Sequence, residues 1–205
     1  MNSISISIAI LPDEKTAQMA IALSQKLARA IPTKFVLNGK DLIPHFTIYQ
    51  AEFPVDNVEK LENAVSEIMS NYKSFELKLD LFSATKQGNI WWNVINDSEM
   101  KTLQNLVIEK CNPLREGLIL PLYKTYKHID SDQRKEIENY GSLWVVERYH
   151  PHISISKIGN EYLSQTLELM GKAESASFTA SKIIIGKLGD YGTVTEIIKT
   201  FNLAS

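Results

Sequence analysis

The same succession of patterns occurs twice in this chain, each time headed by a histidine. His45 opens the alternating run His45-Phe-Thr-Ile-Tyr-Gln. Helical spacing follows over 55–72 (Val58, Leu61, Val65, Ile68, Met69), then an alternating strand from Phe75 and a turn at Lys86-Gln-Gly-Asn that leads into Ile90-Trp-Trp-Asn-Val-Ile. His152 opens His152-Ile-Ser-Ile-Ser-Lys, followed by a helical pattern over 161–172, a strand over 178–187 and its hairpin partner over 193–201 across Gly189-Asp-Tyr-Gly. Phe75 lies 30 residues after His45 and Phe178 lies 26 after His152, while Gly88 and Gly192 follow at 43 and 40. Repeated order at near-constant spacing predicts an internal duplication. The expected unit is one bilobal domain over 1–205, with lobes of roughly 1–112 and 113–205 whose terminal elements can be exchanged.

The remaining segments fit a folded, mixed α/β chain. Ile4, Ile6, Ile8 and Ile10 alternate with small or polar residues and no basic start precedes them, which reads as a strand and not as a signal peptide. Pro12-Asp13-Glu14 then opens a helix striped by Ala17, Ile21, Leu23, Leu27 and Ala30 until Pro32. Helical patterns are also expected at 98–111 and 131–140, with irregular chain around 113–121. With 44% hydrophobic and 22% charged residues, 205 residues suffice for a sizeable core. A net charge of −2 gives no pull onto long nucleic acid or an anionic membrane, but leaves a short or terminal nucleotide open as a partner. The single Cys111 forms no internal disulfide, which fits a reducing, cytoplasmic setting. No run of about 18 apolar residues occurs to span a membrane.

Strand alternation places His45, Thr47 and Tyr49 on one face, and His152, Ser154 and Ser156 on one face of the second strand. Imidazole and hydroxyl then lie about 6–7 Å apart along each backbone. Two such faces brought together make a polar cleft with two imidazoles of ordinary pKa near 6.5. That inventory suits phosphodiester chemistry without a metal or cofactor. One imidazole takes a proton from the nucleophile, the other gives one to the leaving oxygen, and the hydroxyls bind non-bridging phosphate oxygens. The expected pH profile is a bell with both limbs between about 5 and 8. Zinc is disfavoured because its sites want three or four N, S or carboxylate ligands. Neither G-x-x-x-x-G-K-[ST] nor G-x-G-x-x-G occurs, so the glycine-rich phosphate loops are absent.

The motif His-hydrophobic-[Ser/Thr]-hydrophobic matches a given histidine by chance about 3% of the time, and two of the four about 0.4% of the time. His45-Phe-Thr-Ile and His152-Ile-Ser-Ile resemble the paired signatures of the two-histidine phosphoesterase superfamily, which includes the bacterial 2′-5′ RNA ligase-like proteins and several cyclic phosphodiesterases. The resemblance implies a bilobal α/β (α+β) fold, with two antiparallel sheets and flanking helices around a central cleft. It also implies His45 and His152 as the acid–base pair, with Thr47 and Ser154 as phosphate ligands. Ser154 stands where Thr is commoner, and Lys157 where many relatives carry Arg.

The resulting expectation is a metal-independent phosphoesterase acting, as a monomer, on 2′,3′-cyclic phosphates or 2′-5′ linkages of nucleotides or RNA ends. Two alternatives stand beside it: a non-catalytic module that binds nucleotide or RNA-end phosphate, and a cyclic phosphodiesterase for a small ADP-ribose-type ester. Tyr49, Ser156, Lys157, Trp91 and Trp92 are candidate substrate contacts. Adjacent tryptophans point to opposite faces, so one belongs to the core and the other is available to stack on a base. His150, His128 and Tyr191 read as loop or surface residues, and Cys111 as helical and not nucleophilic.

Overall fold

The computed structural model describes residues 2–95, 97–126, 129–172 and 175–204; His128 lies outside them. The chain runs β1 (Ser3–Ile10), α1 (Glu14–Ala30), β2 (Phe46–Pro54), α2 (Val58–Asn71), β3 (Phe75–Ala84), β4 (Asn89–Val94) and α3 (Ser98–Cys111). It continues through α4 (Pro121–Lys124), α5 (Ser131–Tyr140), β5 (His152–Lys157), α6 (Leu163–Met170), β6 (Ala176–Ala180), β7 (Lys182–Leu188) and β8 (Val194–Asn202). Helix boundaries follow local chemistry. The Asp13 carboxylate accepts from the Thr16 amide at the start of α1, and Asp130 with Gln133 forms a capping box on α5. Gly141, at φ 73°, closes α5 in the left-handed conformation that glycine tolerates.

The strands form one antiparallel sheet in the order β6-β3-β4-β5-β2-β1-β7-β8. The two sheets expected from the sequence are joined edge to edge, because β2 and β5 meet through the pair Phe46–Ile153. Each four-stranded half draws two strands from either side of residue 112. β3 and β4 lie with β5 and β6, while β1 and β2 lie with β7 and β8.

The single strand expected over 178–187 is in fact two, split at Ser181. β6 pairs with β3, and β7 pairs with β1 and β8. The apolar residues from Phe178 to Ile185 read as one run, yet they belong to opposite ends of the sheet. For the same reason the two hairpins matched by spacing are not equivalent in place. β4 lies beside β5, whereas β8 is an edge strand.

One face of the sheet carries the main core. Ile6, Ile8, Ile10, Phe46, Trp92 and Ile153 are sealed from solvent there, with α1 packed on β5 and α3 on β2. Fully burying a side chain such as Phe46 or Ile153 stabilises by about 1.5–3 kcal/mol, so their contact holds the halves together. On the other face of β1 and β7 a small cluster forms around Ala9, Ile184 and Val194, and a separate one around Leu120, Tyr123, Ile137 and Leu143 packs against Leu188. Among the described residues no helix is long and apolar enough to cross a membrane.

Candidate active site

The register of the two histidine strands decides which side chains lie on the face of the sheet turned away from the main core, the cleft face. Along β2, Phe46 pairs with Ile10 and Thr47 with Ala9, but the next partner, Ile8, faces Tyr49; Ile48 is an extra residue. Along β5, Ile153 pairs with Trp92 and Ser154 with Trp91, but Ile90 faces Ser156; Ile155 is extra. Each strand therefore carries a β-bulge three residues after its histidine. A bulge resets the alternation, so residues beyond it exchange faces.

This reset corrects two expectations. Tyr49 faces the core with Ile8; it is 1% exposed, and its hydroxyl lies 2.7 Å from the Tyr140 carbonyl and 2.9 Å from Asn112 Oδ1. Burial holds its pKa well above the ordinary phenol value. Ser156 faces the core with Ile90 and donates to the Phe35 carbonyl at 2.8 Å. Neither side chain lies on the cleft face. Gln50 and Lys157 take the cleft-face positions instead, opposite Ser7 and Asn89. Trp92 is also removed from substrate contact, being fully buried against Phe82 in the core. Gly88 holds the end of β5 in place. Its carbonyl accepts from the Ile158 amide, and a Cβ at its φ of 79° would run into the Ile158 carbonyl.

Before the bulges the alternation holds. Carrying the Phe46–Ile153 register one residue either way sets His45 opposite Ser154 and Thr47 opposite His152, all four on the cleft face. Neighbours directly opposite in such a pair stand about 4.5–5.5 Å apart. Both imidazoles are anchored alike. Nδ1 of His45 lies 2.8 Å from the Ile43 carbonyl, and Nδ1 of His152 lies 2.6 Å from the His150 carbonyl, in each case two residues back along the chain. A carbonyl only accepts, so each Nδ1 carries the proton and each neutral ring keeps its basic lone pair on Nε2. Thr47 and Ser154 are half-buried, and their hydroxyls make no hydrogen bond to another described residue. They are available as donors.

Burial dominates the electrostatics. His45 is 6% exposed, and burial lowers its pKa despite hydrogen bonding to the backbone of Ile43 and Gly192. His152 is pushed down to about 3, first by burial, with the His150 carbonyl opposing and the nearby charges of His150 and His45 adding to the fall. Both rings are therefore neutral in the free protein near pH 7.

Aromatic walls flank the pair. Trp91 stacks on His152 with ring centroids 4.0 Å apart, and Trp144 meets Trp91 edge-on at 5.8 Å. Trp144, 48% exposed, has no signal in the sequence because its segment has no periodicity. Asn93, also on the cleft face, donates from Nδ2 to the Leu81 carbonyl and receives His150 Nε2–H on Oδ1 at 3.0 Å. On the other side Lys157 Nζ lies 5.2 Å from the centre of the Tyr191 ring, which stacks on Phe35. Tyr149 donates to the Thr47 carbonyl, and Gln104 Nε2 donates to that of Ile48, so the wall segment is tied to the His45 strand. Cys111 is buried and its thiol is pushed up to about 12 by burial, which makes it unreactive. Among the described residues no group of three or more His, Cys, Asp or Glu is arranged to hold a metal ion.

Two neutral imidazoles and two hydroxyl donors thus share one face of the β2–β5 junction, groups suited to proton transfer and to hydrogen bonding an anion. A family model described as the 2′-5′ RNA ligase superfamily matches residues 38–191, which include both histidine motifs. No curated protein gives a significant match. Among solved structures, a crystal structure of a phosphoesterase is similar over 100% of both chains at 13% identity and a TM-score of 0.59. LigT of E. coli complexed with 3′-AMP is similar over 100% of both at 14% identity and a TM-score of 0.59. A protein of Thermus thermophilus, TT0787, is similar over 98% of both at 10% identity and a TM-score of 0.62. At these identities the likeness concerns the fold.

Proposed function

Since this chain belongs to the 2′-5′ RNA ligase superfamily, we propose that it is a metal-independent phosphoesterase that hydrolyses 2′,3′-cyclic phosphates or 2′-5′ phosphodiester bonds of nucleotides or RNA ends. The observation that carries this reading is the matched anchoring of His45 and His152. Each donates Nδ1–H to a carbonyl two residues back, which makes Nε2 the basic atom of each ring on adjacent strands of the β2–β5 junction. LigT, of the same fold, has been crystallised with 3′-AMP and with phosphate, which supports a phosphate-bearing nucleotide as ligand.

The reaction follows from this geometry. The substrate phosphate seats over the junction and accepts hydrogen bonds from Thr47 Oγ1 and Ser154 Oγ on its non-bridging oxygens. Its negative charge offsets the desolvation of the imidazoles, so binding brings a proton onto one of them. The neutral Nε2 then takes a proton from water as the water oxygen bonds to phosphorus. The protonated Nε2 gives its proton to the ribose oxygen as the P–O bond breaks. General acid and general base contribute about 10²–10⁴ in rate each. Near-neutral net charge and the single cysteine accompany this reading with a monomer acting on nucleotide or RNA ends in the cytoplasm.

Turnover of 2′,3′-cyclic nucleotides and 2′-5′ dinucleotides, in EDTA, tests the proposal. Wild type should give a phosphomonoester, and His45→Ala and His152→Ala should each lose about 10²–10⁴-fold in kcat while staying folded. Retention of most activity in either variant overturns it. So does tight calorimetric binding of a 2′-phosphorylated nucleotide with no turnover of any ester, which identifies a binding module instead.

A further inference from the structure

Trp91 stands on the cleft face opposite Ser154, and its indole lies nearly parallel to the His152 imidazole, with an interplanar angle of 23° and centroids 4.0 Å apart. Trp144 braces the same indole from its edge at 87°, and the His150 ring lies 6.1 Å away. The other hold on His152 is the bond from Nδ1–H to the His150 carbonyl at 2.6 Å. A single hydrogen bond in the ring plane leaves the imidazole free to swing about the N–H···O axis. An aromatic face laid against the ring removes that freedom. His45 makes no aromatic ring contact among the described residues and is more deeply buried, so its surroundings already confine it. His152 is the more open of the two and has the clamp.

Resting on the reading of His152 as half of the acid–base pair, we propose that Trp91 is a positioning residue for His152 and not a platform for the substrate's base. The indole face turned to His152 is taken by the imidazole, Trp144 meets the edge, and the His150 ring stands 6.1 Å away, so the contacts Trp91 makes are with the histidine and its surroundings. The clamp has two effects. It keeps Nε2 aimed across the junction toward Thr47, where the phosphate seats. It also lays the π-face of an indole against the His152 imidazole, a contact that favours the protonated form of that ring against burial.

The test compares Trp91→Phe and Trp91→Leu with wild type by steady-state kinetics on a 2′,3′-cyclic nucleotide, and by NMR of the His152 ring in protein saturated with inorganic phosphate; His152→Gln assigns the ring signals. The phenyl variant should keep kcat within a few-fold. The leucine variant should lose about 10²-fold in kcat with KM little changed, the magnitude expected of a reacting group misplaced by about 1 Å. Its His152 signals should lose the ring-current shift and titrate at lower pH than in wild type. If the leucine variant fails to fold, Trp91→Met fills a similar space without a ring and carries the same expectations.

A leucine variant with unchanged kcat and a KM raised about tenfold or more makes Trp91 a base platform and overturns the proposal. His152 signals and titration identical to wild type overturn it as well. Should wild type turn over no phosphoester, the proposed function falls while the NMR comparison still decides whether Trp91 clamps His152.

Discussion

Phe46 of β2 and Ile153 of β5 face each other across the junction of the sheet, and both are sealed from solvent. Each is the immediate chain neighbour of a cleft-face histidine, so the apolar contact on one side of the sheet sets the spacing of the imidazoles on the other. Ile153→Ala should therefore act on stability and on the site together. The expected cost is about 2–5 kcal/mol in chemical denaturation, with kcat lowered further in the fraction that remains folded. Full specific activity in the folded fraction would show that the junction does not set the site.

Thr47 and Ser154 hold hydroxyls with no other described partner on the cleft face. Thr47→Val keeps the shape and removes the donor. A hydrogen bond to a charged oxygen is worth about 1.5–3 kcal/mol, so kcat/KM should fall about 10–100-fold with the melting temperature nearly unchanged. Ser154→Ala should behave alike; unchanged kinetics in both variants would remove the hydroxyls from phosphate binding.

The pH dependence follows from the lowered pKa values of both histidines. The base must be neutral in the free enzyme, and a lowered pKa keeps it so further into acid. The acid must be protonated, and a lowered pKa strips it sooner as pH rises. The optimum of kcat/KM is thus displaced below pH 6.5, the ordinary imidazole value, and the bell expected from unperturbed imidazoles moves toward acid as a whole. An optimum at or above pH 7 would contradict this.

The same shifts enter the stability. A histidine lowered from 6.5 to about 3 by folding lets the unfolded chain bind its proton first as pH falls. The stability is complete above pH 6.5 and drains away toward pH 3. Denaturation midpoints measured from pH 7.5 to 4 should fall less steeply in His152→Gln than in wild type, and phosphate should reduce the acid loss by binding the protonated form. Parallel curves for the two proteins would refute the linkage.

Val146 sits at φ 51°, a left-handed conformation that a β-branched residue adopts at a cost, and its amide donates to Gln104 Oε1 at 2.8 Å. The other end of the same amide group holds the Ile48 carbonyl at the bulge. Val146→Gly relieves the strain and should raise stability by about 1 kcal/mol. Gln104→Ala leaves two backbone groups unpaired and should cost about 1–3 kcal/mol. Thermal denaturation reads both, and a stabilised Gln104→Ala would show that the Gln104 hydrogen bonds do not hold this segment.

Much of the fold was legible because periodicity reports burial directly. Ile4 to Ile10, the stripe of α1, and the helices at 98–111 and 131–140 all form where the patterns place them. The paired motifs were legible for a chemical reason, since histidine and hydroxyl at two-residue spacing share a strand face. Tyr49 and Ser156 were misplaced because Ile48 and Ile155, each inside a run that alternates, carry no mark of being inserted. Trp144 and Asn93 join the site through neighbours distant in sequence, Trp91 and His150, and no local signal announces that.

By itself the amino-acid order determined most of the strands and helices and the shared strand faces of His45 with Thr47 and of His152 with Ser154, because side-chain period is a local property. Only the tertiary structure decided that Phe46 meets Ile153, that the segment from Phe178 to Ile185 divides between two ends of one sheet, and that the bulges turn Gln50 and Lys157 toward the cleft. Strand pairing is chosen by how the whole apolar surface is buried, and that choice is made between residues more than a hundred positions apart.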